Sequence, residues 1–190
     1  MPDLPEHRPA LAGKAIFEGP GIRLEPLPEG HLLHIMGAVD AESLAGYLSA
    51  AGLPASAVRP AGYQQWYIAG DEYLSPPYIA ALADHLKGKA FISDQSHGRI
   101  RIGLSGAKAA DLLSRGTAVD LDPAIFPVGH SAVTLFGHVS VQLTHVETDR
   151  FELTVLRSYA EDVYEALEHL AGTAMSIHRS ETPVHLTLPP

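Results

Sequence analysis

The sequence predicts an α+β fold of mostly antiparallel sheets with helices packed on one face. Two observations carry that prediction. Short runs rich in alternating apolar and β-branched residues recur along the chain, separated by segments whose leucines fall at helical spacing. The order of these signals also repeats: "HIMGAVDAESLAGYL" corresponds to "IGLSGAKAADLL", and "AALADHLKGK" to "EALEHLAGTA". Two pseudo-repeated strand–helix halves are the simplest architecture that gives this order. The expected organisation is a flexible Pro-rich tail over residues 1–14, one domain over 15–175 and an extended tail over 176–190. The domain divides into halves at about 15–89 and 90–175.

Each element has a local reason. "IRLEPL" (Ile22–Leu27) and "HLLHIMG" (His31–Gly37) predict two strands joined by the turn "PEG". Asp40 can cap a helix running to about Ala51, with Leu44 and Leu48 on one face and Gly52 as its stop. "YQQWYIAG" (Tyr63–Gly70) is the next strand. Ser75 followed by Pro76 starts a helix, since proline at the first helical position sacrifices no hydrogen bond. That helix turns Ile79, Leu82 and Leu86 inward and ends at Gly88.

In the second half, "AFISDQS" and "RIRIGL" predict a hairpin around His97-Gly98, followed by a helix through Ala109, Leu112 and Leu113 to Gly116. "SAVTLFGHVSVQLTHV" predicts another hairpin turning at Gly137-His138, and "RFELTVL" a further strand. The last helix has the capping-box pattern Ser158-Tyr159-Ala160-Glu161, with Tyr159, Val163, Leu167 and Leu170 along one face.

Composition narrows the function classes. The hydrophobic share is 46% and the charged share 18%, which a packed interior needs and a disordered chain lacks. A net charge of -9, with Arg99 and Arg101 the densest basic pair, argues against a nucleic-acid binder. The absence of cysteine removes disulfides, thiolate metal sites and thiol nucleophiles. The N-terminal "MPDLPEHRPALAGK" has no apolar stretch of the signal-peptide kind, and no run is long enough to span a bilayer; the expectation is a cytoplasmic protein.

Motifs for chemistry are sparse. Gly103 and Gly106 give G-x-x-G without the spacing of a dinucleotide loop or the G-K-[ST] ending of a phosphate loop, so the stretch reads as a strand-to-helix joint. The eleven histidines include no H-E-x-x-H; His31 and His34 fall on opposite faces of one strand, and His178 and His185 lie far along the chain. Ser96 and His97 are neighbours whose side chains diverge. Asp120 and Asp122 could share a proton, but before Pro123 they better suit a turn. Trp66 and Tyr67 could stack a flat ligand or serve as core or interface. No catalytic, cofactor-binding or metal-ligating residue is assigned.

With these residues set out, "SDQSHGRIRIGLSGAKAADLLSRGTAVDL", "FPVGHSAVTLFGHVSVQL" and "FELTVLRSYAEDVYEALEHL" resemble the gamma subunit of heterotetrameric sarcosine oxidase. The segment Arg157, Ser158, Tyr159, Ala160 matches the family's entry to its last helix. The resemblance covers roughly Ala90 to Ala171 well and the first half loosely. It extends to the folate-binding aminomethyltransferase superfamily, the glycine-cleavage T-protein group. There a hairpin equivalent to Thr134–Leu143 carries an Asp pair; Ser140 and Val141 stand at about those positions here.

The resemblance implies a non-catalytic structural subunit of a flavoenzyme that oxidatively demethylates sarcosine, with formaldehyde or methylene-tetrahydrofolate as the one-carbon product. FAD, FMN, NAD and tetrahydrofolate are then expected in partner subunits and none in this chain. The implied partners are alpha, beta and delta subunits, with alpha in direct contact. Alternatives are a stand-alone folate-binding or aminomethyltransferase-like protein, for which Asp94, Asp120 and Trp66 would be suspected, or the equivalent subunit of an N-methylglutamate dehydrogenase-like complex. Arg157, Ser158 and Tyr159 are candidates for a partner interface, as is the alternating segment Val184, Leu186 and Leu188, which could equally pair within its own domain.

Overall fold

The structure, a computed structural model, describes residues 7–180, with the side chains of 174–180 excepted. In chain order the first strands and helices are β1 (Phe17–Gly19), β2 (Ile22–Pro26), β3 (His31–Gly37), α1 (Ala41–Ala50), β4 (Val58–Gly62), β5 (Gln65–Gly70) and α2 (Pro76–His85). There follow β6 (Ala90–Asp94), β7 (Arg99–Ser105), α3 (Ala109–Ser114), β8 (Ser131–Phe136), β9 (Val139–Glu147), β10 (Arg150–Leu156) and α4 (Ala160–Ser180). The strands form a six-stranded sheet in the order β1-β2-β7-β10-β9-β8 and a four-stranded sheet in the order β4-β5-β3-β6. Every pairing is antiparallel.

Each sheet has helices on one face and the other sheet on the opposite face. On the larger sheet Ile100, Ile102 and Leu104 of β7 and Leu153 and Val155 of β10 pack with Leu112, Val163, Tyr164 and Leu167 of α3 and α4. On the smaller sheet Leu33, Ile35 and Ile68 pack with Leu44 and Leu48 of α1, Leu82 of α2 and Leu86 at its C-terminal cap. The facing sides are joined by Gln142, whose Nε2 donates to Pro60 O at 2.6 Å, and by Arg101, whose Nη2 donates to Gly70 O at 2.9 Å. The result is a helix–sheet–sheet–helix sandwich.

Many local expectations match. Asp40 accepts from Ser43 N at 2.8 Å, and Gly52 follows the helix with φ +84°. Gly137 turns the β8–β9 hairpin with φ +60°. Gly106 has φ +110°, and a Cβ there would lie 2.4 Å from Gly21 O, so only glycine lets the start of α3 pass the β1–β2 turn this closely.

Strand pairing departs from the sequence reading in two places, for one reason. "PEG" is not a hairpin turn: β2 pairs with β7 and β3 with β5 and β6. Similarly β6 and β7 do not form a hairpin at His97-Gly98, because β6 joins the smaller sheet and β7 the larger. Ile22 and Leu24 feed the core of the larger sheet and Leu33 and Ile35 that of the smaller; Ile92 and Ile100 divide in the same way. Consecutive strands that supply different cores cannot be neighbours. A boundary at 89/90 therefore does not separate the sheets, since β1 and β2 cross to one side and β6 to the other.

The ends also differ. Leu11 is only 6% exposed and belongs to the larger core, and Ala10 N donates to Glu29 at 2.6 Å, so the N-terminal segment is anchored at these two residues while Arg8, Pro9, Ala12 and Gly13 are exposed. Ser158 sits inside a 3-10 turn, Arg157–Tyr159, with no side-chain cap, and the expected capping box is not made. Tyr159 is 45% exposed; the buried face of α4 is Ala160, Val163, Tyr164, Leu167 and Ala171. The helix continues to Ser180, so 176–180 are helical rather than extended. Val184, Leu186 and Leu188 lie outside the described residues.

Candidate functional site

Strand alternation gives the larger sheet one apolar face, toward the helices, and one polar face, toward the smaller sheet. On β10 the apolar set is Phe151, Leu153 and Val155, and the alternate residues are Glu152 and Thr154. Those alternates are buried too, as are Arg101, Gln142 and Thr144 across the same face. The centre of the molecule is thus a polar layer.

Its charged core is built from four side chains. Arg101 is 7% exposed. Its Nη1 donates to Glu152 Oε2 at 3.4 Å, and its Nη2 to Asp71 Oδ1 at 2.6 Å, Pro28 O at 3.1 Å and Gly70 O at 2.9 Å. Glu152, 4% exposed, is reached on its other oxygen by Arg59 Nε at 3.7 Å, an ion pair too long for a hydrogen bond. These groups wall a cleft of about 270 Å³ whose lining also includes Arg150 and Glu147. Its three arginines, Arg59, Arg101 and Arg150, face three carboxylates, Asp71, Glu147 and Glu152, so the cleft carries no net charge to recruit an ion.

Beside this layer His31 is buried, with Nδ1 2.7 Å from Glu72 O; a carbonyl only accepts, so Nδ1 donates. Burial, assisted by the charge of Arg101, lowers its pKa below the ordinary 6.5. His34, on the same strand, is also lowered by burial. At the molecular edge burial tends to raise Glu29, but hydrogen bonds from Arg157 and Ala10 N outweigh it and hold its pKa below the ordinary 4.5.

Most residues singled out from the sequence have structural partners. Asp94 Oδ1 accepts from Ser96 N and Oγ at 2.9 and 2.6 Å, and Ser96 Oγ accepts from Leu32 N, so no serine–histidine pair forms. Asp120 and Asp122 accept from Asp122 N and Ala124 N, closing successive turns as expected. Trp66 and Tyr67 point to opposite faces of β5: Trp66 Nε1 donates to Val39 O at 3.1 Å, and Tyr67 lies between the sheets with Arg99 over its ring. Ser140 is exposed on the hairpin and Val141 is buried. Arg157 is held within the chain, its Nη1 donating to Glu29 at 2.7 Å and its Nη2 to Arg8 O at 2.5 Å. Ser158 and Tyr159 face solvent. Among the described residues no group of three or more potential metal ligands converges, and no helix is long and apolar enough to cross a membrane.

The sequence reading noted Arg101 only as part of the densest basic pair, and it passed over Glu152 and His145. For Arg101 and Glu152 the available signal is a charge at the centre of a strand whose neighbours are all apolar. For His145 it is a histidine in register with Val141 and Leu143 on the apolar side of β9.

The architecture places the chain among aminomethyltransferase-like α+β folds. The glycine cleavage system aminomethyltransferase T from Bartonella henselae is similar over 76% of this chain and 44% of its own, at 14% identity and a TM-score of 0.54. A chain of the heterotetrameric sarcosine oxidase from Corynebacterium sp. U-96, solved in complex with pyrrole 2-carboxylate, is similar over 88% of this chain and 95% of its own. Its identity is 21% and its TM-score 0.72. Comparison with curated proteins gives no match. The sarcosine oxidase, gamma subunit family matches residues 58–173, and the chain belongs to that family.

Proposed function

We propose that the chain is the non-catalytic, structural gamma subunit of a sarcosine-oxidase-like heterotetramer that oxidatively demethylates sarcosine in the cytoplasm. The observation that supports this most is the commitment of Arg101, the most buried arginine of the polar layer, to partners within the chain. The Arg101 guanidinium is occupied by Asp71, Glu152 and two carbonyls, so the strongest candidate for a substrate-binding cation is already committed. Ser140 and Val141 supply no carboxylate at the β8–β9 hairpin, which removes the acidic group that the superfamily resemblance would require for aminomethyl transfer. In this reading FAD, FMN, NAD and tetrahydrofolate belong to the alpha, beta and delta subunits, and alpha makes the direct contact.

Co-expression of the tagged chain with alpha, beta and delta subunits, followed by size-exclusion chromatography, tests the assignment. The expected result is one stoichiometric complex that loses this chain only on denaturation. Elution of the chain alone, with the other three assembled and fully stable without it, would count against a structural role.

A further inference from the structure

A second cavity lies at the far side of the larger sheet, away from the polar layer. It is about 320 Å³, at the lower end of the range for small-molecule sites, and is walled mainly by Ala110 of α3, Leu121, Pro127, Val128 and Phe151. One polar ring lines it. His145 is 5% exposed and is stacked between Phe151, 4.5 Å away at 14°, and Phe126, 6.4 Å away at 3°. Its Nδ1 lies 2.7 Å from Phe126 O and must donate to that carbonyl. In the neutral ring Nε2 is then an acceptor on the cavity wall, and the ring's hydrogen bond among the described residues is the one made by Nδ1.

The backbone fixes this wall. Gly129 N donates to His145 O at 2.7 Å, and His145 N to His130 O at 2.9 Å, so the loop before β8 is stitched to β9 on the cavity's side. The other polar side chains in the lining are Thr148 and Asp149, and no cation is among them. Beside the cavity the surface is apolar: Val128 is 52% exposed, and Ile125 close by in sequence is also exposed. An apolar slot with one pre-oriented ring acceptor complements an aromatic ring that carries one N–H or O–H donor. Its size suits a single side chain, and anchors of this kind are typically Trp or Tyr in a desolvated pocket.

We infer that this cavity is the anchor pocket for a Trp or Tyr side chain of a partner subunit, with its donor on His145 Nε2. The occupant rests on the subunit reading proposed above; the chemistry of the pocket does not. Two arms separate them. In the first, the isolated chain is titrated with indole and with 1-methylindole, and heteronuclear NMR follows Ala110, Val128 and His145. Indole is expected to bind saturably at these positions and about two- to tenfold more tightly than 1-methylindole, the worth of one net hydrogen bond. No shift at these residues, or equal affinity for both probes, overturns the pocket.

The second arm carries Ala110→Leu, which fills the cavity, and Val128→Asp, which places a charge at an exposed position on its lining, into co-expression with the other subunits. Both are expected to lower recovery of the chain in the complex at least tenfold while retaining wild-type thermal unfolding. Should Ala110→Leu unfold at a lower temperature, the surface variant decides. Wild-type assembly of Val128→Asp overturns the occupant while leaving the subunit reading intact. Failure of the wild-type chain to assemble overturns the subunit reading and the occupant together, and the indole comparison still decides the pocket.

Discussion

Replacing Arg101 by alanine is the most informative perturbation of the fold. In the native chain the Arg101 and Glu152 side chains are almost fully buried and 3.4 Å apart. After the substitution, Glu152 keeps only Arg59, at 3.7 Å, and the carbonyls of Pro28 and Gly70 lose their shared donor. Breaking a buried pair from one side costs about 3–5 kcal/mol, because the remaining charge has neither its partner nor water. For a domain of this size each kcal/mol moves the melting temperature by about 2–4 °C, so Arg101→Ala should melt about 6–20 °C lower. The double variant Arg101→Met/Glu152→Leu removes both partners of the buried pair and should recover part of that loss, the remainder reflecting Arg59, which loses Glu152. Calorimetry on the three proteins measures it. A single variant within about 1 kcal/mol of wild type would show that the layer is solvated, and the argument that Arg101 is committed to buried partners would fail.

Other perturbations test neighbouring parts of the account. His31 and His34 have folded pKa values lowered by burial, so the unfolded chain takes up protons first as the pH falls below the ordinary 6.5. Their contribution is complete above that value and declines on acidification, and the lowered Glu29 adds a further loss below 4.5. Urea midpoints should therefore be lower at about pH 5.5 than at about pH 8, and His31→Gln should narrow the gap; an unchanged gap would refute the assignment. Tyr164, raised to about 12 chiefly by burial, donates to Ala15 O at 2.8 Å and so ties α4 to the N-terminal segment. Tyr164→Phe should cost about 1 kcal/mol by urea unfolding, and no loss would mean that this tie is idle. Gly106→Ala combines a backbone angle of +110° with a 2.4 Å clash against Gly21 O, and should destabilise by about 1–3 kcal/mol or more; a neutral result would mean that the β1–β2 turn yields freely.

How much of this was legible depended on whether the signal was local. The Asp40 cap, the Ser75-Pro76 start and the Gly137 turn are decided within a few residues, and α1, α2 and the β8–β9 hairpin lie where those cues place them. Pairing of β2 with β7 and β3 with β6 depends on which core each strand supplies, and sequence proximity suggested the wrong partners. The polar layer was hidden for a related reason. "VSVQLTHV" alternates as a strand with one wet face would, yet Gln142 and Thr144 are buried by the second sheet. Period-two patterning tells which residues share a face and not what covers it. Of the interface candidates, Arg157 was read as available because its partners, Glu29 and Arg8, are more than a hundred residues away in sequence.

The central claim, that the chemistry of the complex lies outside this chain, is tested most directly by sarcosine-dependent hydrogen peroxide formation. The purified chain, supplied with FAD, FMN, NAD and tetrahydrofolate, is predicted to form none above the protein-free rate, while the co-expressed four-subunit complex turns over. Sustained turnover by the chain alone would contradict the account.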